Sequence, residues 1–322
     1  MSGHKKALPT LALKSSMPIQ DFTDAIIDRL KVTEIDLSPT GFGTWSHSKL
    51  KSFSSCYLSF LLKNILKIEY TLDNTEVENQ DSLKMKYTGL FAHGLLEDMV
   101  KGKTFDESFL HQKSLYLDHF DEEGFATLYE LKDRLEMFKD RFDYFCSVHK
   151  VSSYRTEQKL AIDKDHNPTA FNSKNAYFRG ILDLSLFLGN GDVVLFDHKN
   201  GGSAEHGLRN YESQLKSQSL LLAVNEPKAR GVVPFIHFIQ EGGIAGGRYK
   251  YSRDRILDEF LRSIDSRVQG SLEILKEKGS FKQSSGNHCK YCEFSHLCKT
   301  GKRGSGGLLK PIIDESKLFF RG

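Results

Sequence analysis

The chain contains no apolar run approaching the roughly 20 residues needed to cross a bilayer. Its basic start, MSGHKKALPTLALKSS, lacks both the apolar stretch and the small-residue cleavage site of a secretory leader. A cytoplasmic protein with no membrane partner is expected. A phosphate-binding loop is also missing. KGKT at 101–104 imitates the end of one, but Glu97 stands where the first glycine belongs, and a helical pattern precedes it instead of a strand. No nucleotide-driven motor is therefore visible, and any helicase or recombination partner would be a separate chain. Neither sign of charge dominates: 45 Lys and Arg against 42 Asp and Glu give a net of +3, too little to argue for a polyanionic partner. There is no internal repeat and no low-complexity tract. Cysteine is scarce, with five in 322 residues. In a reducing compartment such thiols favour metal binding over disulfides.

What is present divides by hydrophobic period. Residues 1–17 read as a loose arm, and 18–31 have helical spacing. Ser46 to about Lys67 reads as one helix, 71–82 as an acidic and polar loop, 88–100 as a helix, and 118–149 as one long helix or a bent pair. The period then changes. Segments 154–163, 176–189 and 192–199 are rich in branched and aromatic residues and read as strands. An amphipathic helix at 211–224 follows, then strands at 231–240 and 247–252 and a charged helix over 253–278. Helices first, then a mixed sheet with one crossing helix, predict an α/β core with a helical addition.

Gly189-Asn190-Gly191 marks a turn between two apolar runs. With that loop Leu188 faces Asp192, and counting outward brings Asp183 opposite Asp197. Lys199, two residues on, emerges on the same face. Two carboxylates held so close repel each other unless a hard cation neutralises them, and oxygen ligands suit Mg²⁺ or Mn²⁺. A cation that activates water, beside a lysine able to stabilise developing negative charge, suits attack on a phosphodiester. His93 and Glu97 lie four residues apart, on one helix face, and a histidine ligand would bias such a site towards Mn²⁺. Gln214 stands on the helix after the sheet, where an amide could hold water or a phosphate oxygen.

Cys289, Cys292 and Cys298 form a C-x2-C-x5-C cluster, and Cys56 lies far upstream in SHSKLKSFSSC. This set suits zinc, completed by His288, His296 or Cys56, or an all-thiolate iron–sulfur cluster. Around it, residues 273–310 hold eight Lys and Arg against three Glu, a candidate phosphate-facing patch.

In this order the pieces resemble the PD-(D/E)xK nucleases of the RecB type. They look most like the branch with a four-cysteine iron–sulfur cluster, which includes the AddB nuclease domain, CRISPR-adaptation nucleases and phage exonucleases. GLFAHGLLE matches G-x3-H-x2-LE and implies that His93 is a metal ligand. RGILDLS matches G-x2-D and implies the same for Asp183. FDHKNG resembles DYKTG, which makes Asp197 a second ligand, Lys199 the catalytic lysine and His198 a donor of its backbone carbonyl. YESQLKSQ resembles QLxxY, with Gln214 matched in the catalytic set and Gln218 where Tyr is usual. Glu157, in TEQKLAI, falls where the family often has a glutamate ahead of the sheet. SxSxLxxFxxC, ending at Cys56, together with Cys289, Cys292 and Cys298, matches the cluster ligands.

The resemblance implies a restriction-endonuclease-like mixed central sheet flanked by helices, with an N-terminal helical addition and a C-terminal metal-cluster segment. Expected segments are an arm and helix (1–45), a helical region (46–150), the nuclease core (151–278) and the cysteine segment and tail (279–322). The implied activity is a DNA exonuclease acting on linear ends or single strands, with Mn²⁺ or Mg²⁺ and a 4Fe–4S cluster as cofactors and zinc as the alternative occupant. The rival reading is a catalytically silent DNA-end-binding module with a structural zinc or iron–sulfur site.

Overall fold

The computed structural model describes residues 11–14, 25, 44–71, 77–204, 208–276 and positions 286, 288, 289, 292 and 294. Of the arm expected to be loose only 11–14 are described, and they form a strand. The rest of it, the helix expected at 18–31 (Ala25 apart), His296, Cys298 and most of the basic tail lie outside the described residues. The chain divides into two compact units, residues 1–80 with 266–322, and residues 81–265.

In the first unit, β1 (Leu11–Lys14) pairs in parallel with β2 (Ile68–Thr71). Between them the helix expected from Ser46 to about Lys67 comes in pieces. α1 (His47–Ser55) begins at Ser46, whose hydroxyl accepts the Lys49 N–H as an N-cap. It ends at Cys56, which is extended at φ −155 and ψ 109, and α2 (Tyr57–Phe60) then restarts and runs on as a π-helical turn, Leu61–Ile65. An unbroken helix would bury one stripe. The interruption resets the phase, so Phe53, Tyr57, Leu58, Phe60, Leu61 and Leu62 are all buried. Trp45 stacks on Phe60 at 5.8 Å between ring centroids.

α3 (Val77–Val100) starts inside the segment expected as loop. In the second unit it is followed by α4 (Phe105–Leu115), closed by a capping box between Thr104 and Glu107. The stretch 118–149 is the bent pair, α5 (Glu122–Tyr129) and α6 (Lys132–Val148).

The sheet then forms from β3 (Val151–Ile162), β4 (Pro168–Thr169), β5 (Phe178–Leu188) and β6 (Asp192–Lys199). α7 (Glu212–Asn225) crosses to β7 (Gly231–Phe238), followed by β8 (Gly243–Gly246) and β9 (Tyr251–Ser252). Its seven strands run β4-β3-β5-β6-β7-β8, with β9 also on β7. All neighbours are antiparallel except β6 and β7, which α7 joins as a parallel crossover. The strand expected at 247–252 is displaced. Gly246 (φ +124) and Gly247 (φ +73) swing the chain off β7, and at Gly246 a side chain would meet the Pro234 carbonyl oxygen at 2.4 Å. Pairing therefore falls to Gly243–Gly246 and to Tyr251–Ser252. The chain continues through α8 (Arg253–Arg255), a π-helical turn and α9 (Leu261–Lys276).

Side-chain alternation sorts the sheet into two buried faces. Leu184, Leu186 and Val194 pack with Phe91, Leu95 and Met99 of α3 and with aromatic residues of α4 to α6. On β7, Val233 and Phe235 join that core, whereas Ile236 and Phe238 meet Leu215 of α7 on the other side. The result is the expected mixed central sheet flanked by helices. No helix among the described residues is long and apolar enough to cross a membrane.

Phe91 is fully buried, and its ring meets those of Phe109, Tyr116, Phe120 and Phe125. Phe91→Ala is expected to lower the unfolding free energy by about 3–5 kcal/mol. Loss of the cap in Thr104→Ala should lower it by about 1 kcal/mol. Urea denaturation of both variants tests the ranking, which fails if the cap outweighs the core.

Candidate active site

The β5–β6 register follows the count from the turn, with Phe187 opposite Val193 and Leu184 opposite Phe196. Pairing stops there, one step before Asp183 would meet Asp197. The Asp183 carboxylate accepts the His198 backbone N–H at 2.6 Å instead, so the side chain satisfies a donor that the ladder has released. The strands separate at this point, and the chemistry-bearing residues gather there.

On its other side β5 pairs with β3, Thr156 opposite Leu184 and Gln158 opposite Leu182, so Glu157 lies across from Asp183 by count. Glu157 has φ +46, a left-handed backbone that costs a non-glycine residue on the order of 1 kcal/mol and redirects its side chain. α3 brings His93 over the same spot. Ligand atoms of His93, Glu157 and Asp183 all lie within 4.8 Å of one another, and His93 Nδ1 is 3.7 Å from Asp183 Oδ2. Glu97, one helical turn on, is engaged elsewhere, with Lys101 Nζ at 2.6 Å and the Thr156 hydroxyl at 3.3 Å.

Asp197 is buried and held from three directions. Its Oδ1 accepts amide hydrogens from Gln214 at 2.7 Å and Gln218 at 2.9 Å, and its Oδ2 is 2.5 Å from Lys199 Nζ. Both glutamines reach it because they are one turn apart on α7. Lys199 Nζ also lies 5.7 Å from the centroid of the Tyr211 ring, a cation–π contact that confines the ammonium. His198 gives the site its backbone N–H, while its imidazole lies edge-on to the His93 ring at 5.9 Å between centroids and sets Nδ1 3.1 Å from Nδ1 of His237, whose ring stacks on Phe138.

The electrostatics record crowding of like charge. Burial raises the Glu157 carboxyl from its ordinary 4.5 to about 7, with Asp183 adding to the effect. Burial and then Asp197 raise Asp183, which its bond from the His198 N–H only partly offsets. Burial lowers His93 and lowers His198 further, while His237 falls to about 3, so all three are neutral at pH 7. A neutral imidazole beside two destabilised carboxylates is a donor set short of a cation. It suits a divalent ion with mixed oxygen and nitrogen ligands.

The expected residues His93, Asp183, Asp197, Lys199 and Gln214 are therefore brought together, and Glu157 and Gln218 join them. Glu157 lies with His93 and Asp183 in the group that could hold a metal ion, while Asp197 stands beside that group under amide and lysine control. In the sequence the only signal for Glu157 is its place in the resemblance. The strand count needed a register between β3 and β5 that no turn motif fixes.

In the first unit, Cys56 is buried at the break between α1 and α2. Cys292 Sγ lies 3.9 Å from the Ser59 hydroxyl, although the residues are 233 positions apart. Burial raises the Cys292 thiol, and Cys56 and Cys289 push it the same way, so three of the four expected cysteines are electrostatic neighbours. Cys298 lies outside the described residues.

A family model described as the PD-(D/E)XK nuclease superfamily matches residues 44–299. The chain belongs to that superfamily. Its members are nucleases that use divalent metals such as Mg²⁺ or Mn²⁺, so this is a metal-dependent nuclease. No curated protein matches the sequence. Among solved structures, the one titled "Crystal structure of SSO0001" is similar at 15% identity over 61% of this chain and 82% of that one, with a TM-score of 0.29. That likeness adds nothing to the family assignment.

The raised Glu157 of the nuclease carries a pH signature. Its contribution to stability is complete below the ordinary 4.5 and is lost as pH rises through about 7. In metal-free protein, Glu157→Gln should gain on wild type between pH 4.5 and 8, by on the order of 1–2 kcal/mol after solvent screening. Taking the difference removes most of the opposing effect of the neutral buried histidines. Thermal unfolding of both proteins in chelator across that range is the measurement, and a pH-independent gap would sink the assignment. Added Mn²⁺ should close the gap at pH 8.

Proposed function

We propose that this nuclease is a DNA exonuclease that degrades linear or single-stranded DNA from its ends and carries a structural 4Fe–4S cluster. The observation behind the catalytic half is the convergence of His93, Glu157 and Asp183 within 4.8 Å, beside the Asp197–Lys199 pair at 2.5 Å. His93, Glu157 and Asp183 would hold the cation, with Asp197 and the His198 backbone carbonyl completing its surroundings. When bound, a divalent ion activates water and offsets charge on the scissile phosphate.

The chain's own groups do the rest. Lys199 Nζ is the positive donor among carboxylates, partly exposed and oriented by Asp197 and Tyr211. From there it can donate to a phosphate oxygen as negative charge builds on phosphorus. Gln214 and Gln218 fix Asp197, so that the lysine keeps one direction. His93 stays neutral and keeps a nitrogen lone pair available at neutral pH.

Support for the cluster comes from thiols that are costly as neighbours unless something binds them. Cys56, which is buried, and Cys289 and Cys292, which are half-buried, gather from distant parts of the chain, and the neighbouring Cys56 and Cys289 add to the burial that pushes the Cys292 thiol up. Cys298 would be the fourth ligand of an all-thiolate site. Such a cluster would be structural, closing a very long loop.

The test is loss of end label from linear DNA by anaerobically purified protein with Mn²⁺ or Mg²⁺, with circular DNA as control. Linear DNA should be degraded and covalently closed circles spared. Asp183→Asn should abolish the activity, and Lys199→Ala should lower kcat by about 10²- to 10³-fold. Absence of cleavage by folded, cluster-loaded protein would favour the silent end-binding module, and cutting of circles would replace exonuclease with endonuclease. In a separate assay the purified protein should be brown and contain iron and acid-labile sulfide, lost in Cys292→Ser. Zinc in their place would overturn the cluster.

A further inference from the structure

We infer that Gln218 is a positioning residue for the Asp197 carboxylate, and through it for the cation, rather than a contact to DNA. The inference rests on the metal-dependent reading above and assigns a task to the one position of the QLxxY-like segment where this chain departs from the usual Tyr.

Gln218 is 5% exposed, on the inward face of α7 with Leu215, Ser219 and Leu222. A side chain so enclosed cannot reach a substrate strand without unpacking the helix. Its Nε2 donates to Asp197 Oδ1 at 2.9 Å, beside the 2.7 Å bond from Gln214 to the same oxygen. The amide has one possible orientation there, because turning it over would set Oε1 against the carboxylate. In this orientation Oε1 is buried and has no hydrogen-bond partner. Burying an unmatched acceptor is unfavourable, and the bond to Asp197 is what the arrangement gains in return.

The two amides together fill both lone pairs of Oδ1. Oδ2 is then the oxygen left to Lys199 and to a cation. The second glutamine thus converts a carboxylate that could rotate into one that presents a single defined oxygen. With Gln214 and Lys199 alone, Oδ1 would be half-satisfied and the carboxylate held less firmly in one rotation.

The test compares wild type with Gln218→Leu and Gln218→Met, which keep the bulk and delete the donor. Mn²⁺ affinity is read by the electron paramagnetic resonance signal of free Mn²⁺, and cleavage is followed against both Mn²⁺ and DNA concentration. The expected result is Mn²⁺ binding weakened about 10-fold or more, with the Mn²⁺ midpoint of cleavage shifted in parallel. KM for DNA at saturating Mn²⁺ should be unchanged. Unchanged Mn²⁺ affinity, with or without a raised KM for DNA, overturns the inference. So does failure of both variants to fold, since the side chain would then be holding the helix rather than the carboxylate. Wild-type protein that binds no Mn²⁺ would overturn the metal site itself. Wild type that binds Mn²⁺ but does not cut refutes the activity alone, and the binding comparison still decides the role of Gln218.

Discussion

Three carboxylates from three neighbouring strands meet where β5 and β6 part, and the rest of the site follows from their mutual repulsion. The ladder ends at Leu184 and Phe196, and Asp183 spends one oxygen on the His198 N–H that the ladder no longer pairs. That single bond keeps the gap from being a defect and fixes the carboxylate inside it. Glu157 completes the row from the other side through a left-handed backbone. A protein without need for a cation would have little reason to retain this conformation. Crowded acids can be relieved by protonation or by a metal, and the raised Glu157 and Asp183 carboxyls show the apo site leaning toward protonation.

The parallel joint between β6 and β7 supplies the counterweight. A parallel pair needs a long connection, and here that connection is α7, which lies across the sheet face from which Asp197 projects. The helix is thus both the topological requirement of the joint and the carrier of Gln214 and Gln218. Position in the fold and chemistry at the site are satisfied by the same fourteen residues, Glu212–Asn225.

Legibility from sequence followed how local each determinant is. The turn Gly189-Asn190-Gly191 fixes a register, so the approach of Asp183, Asp197 and Lys199 could be counted from the chain. The departure at the last step could not, because separation of strands depends on what α3 packs over them. His93 was legible through its motif, whereas Glu157 depends on a positive φ that no residue type announces. Gln214 could be placed on its helix but not aimed at a carboxylate. The helix break at Cys56 is not legible, because the apolar spacing on either side of it looks continuous. Two glycines displaced the last strands for a reason visible only once Pro234 is beside them.

The first unit is assembled from residues 1–80 and 266–322, while the second is one uninterrupted stretch, 81–265. Synthesis from the N-terminus therefore delivers the two in a fixed order. The sheet and its acidic site can form as soon as their own residues have left the ribosome, in keeping with the habit of domains to fold as units. The first unit must wait with Cys56 unaccompanied until the segment bearing Cys289 and Cys292 has been made. During that interval the early thiol is exposed to whatever metal or oxidant the compartment holds. The gathering of Cys56 with Cys289 and Cys292 is thus a late event, set by the order of synthesis.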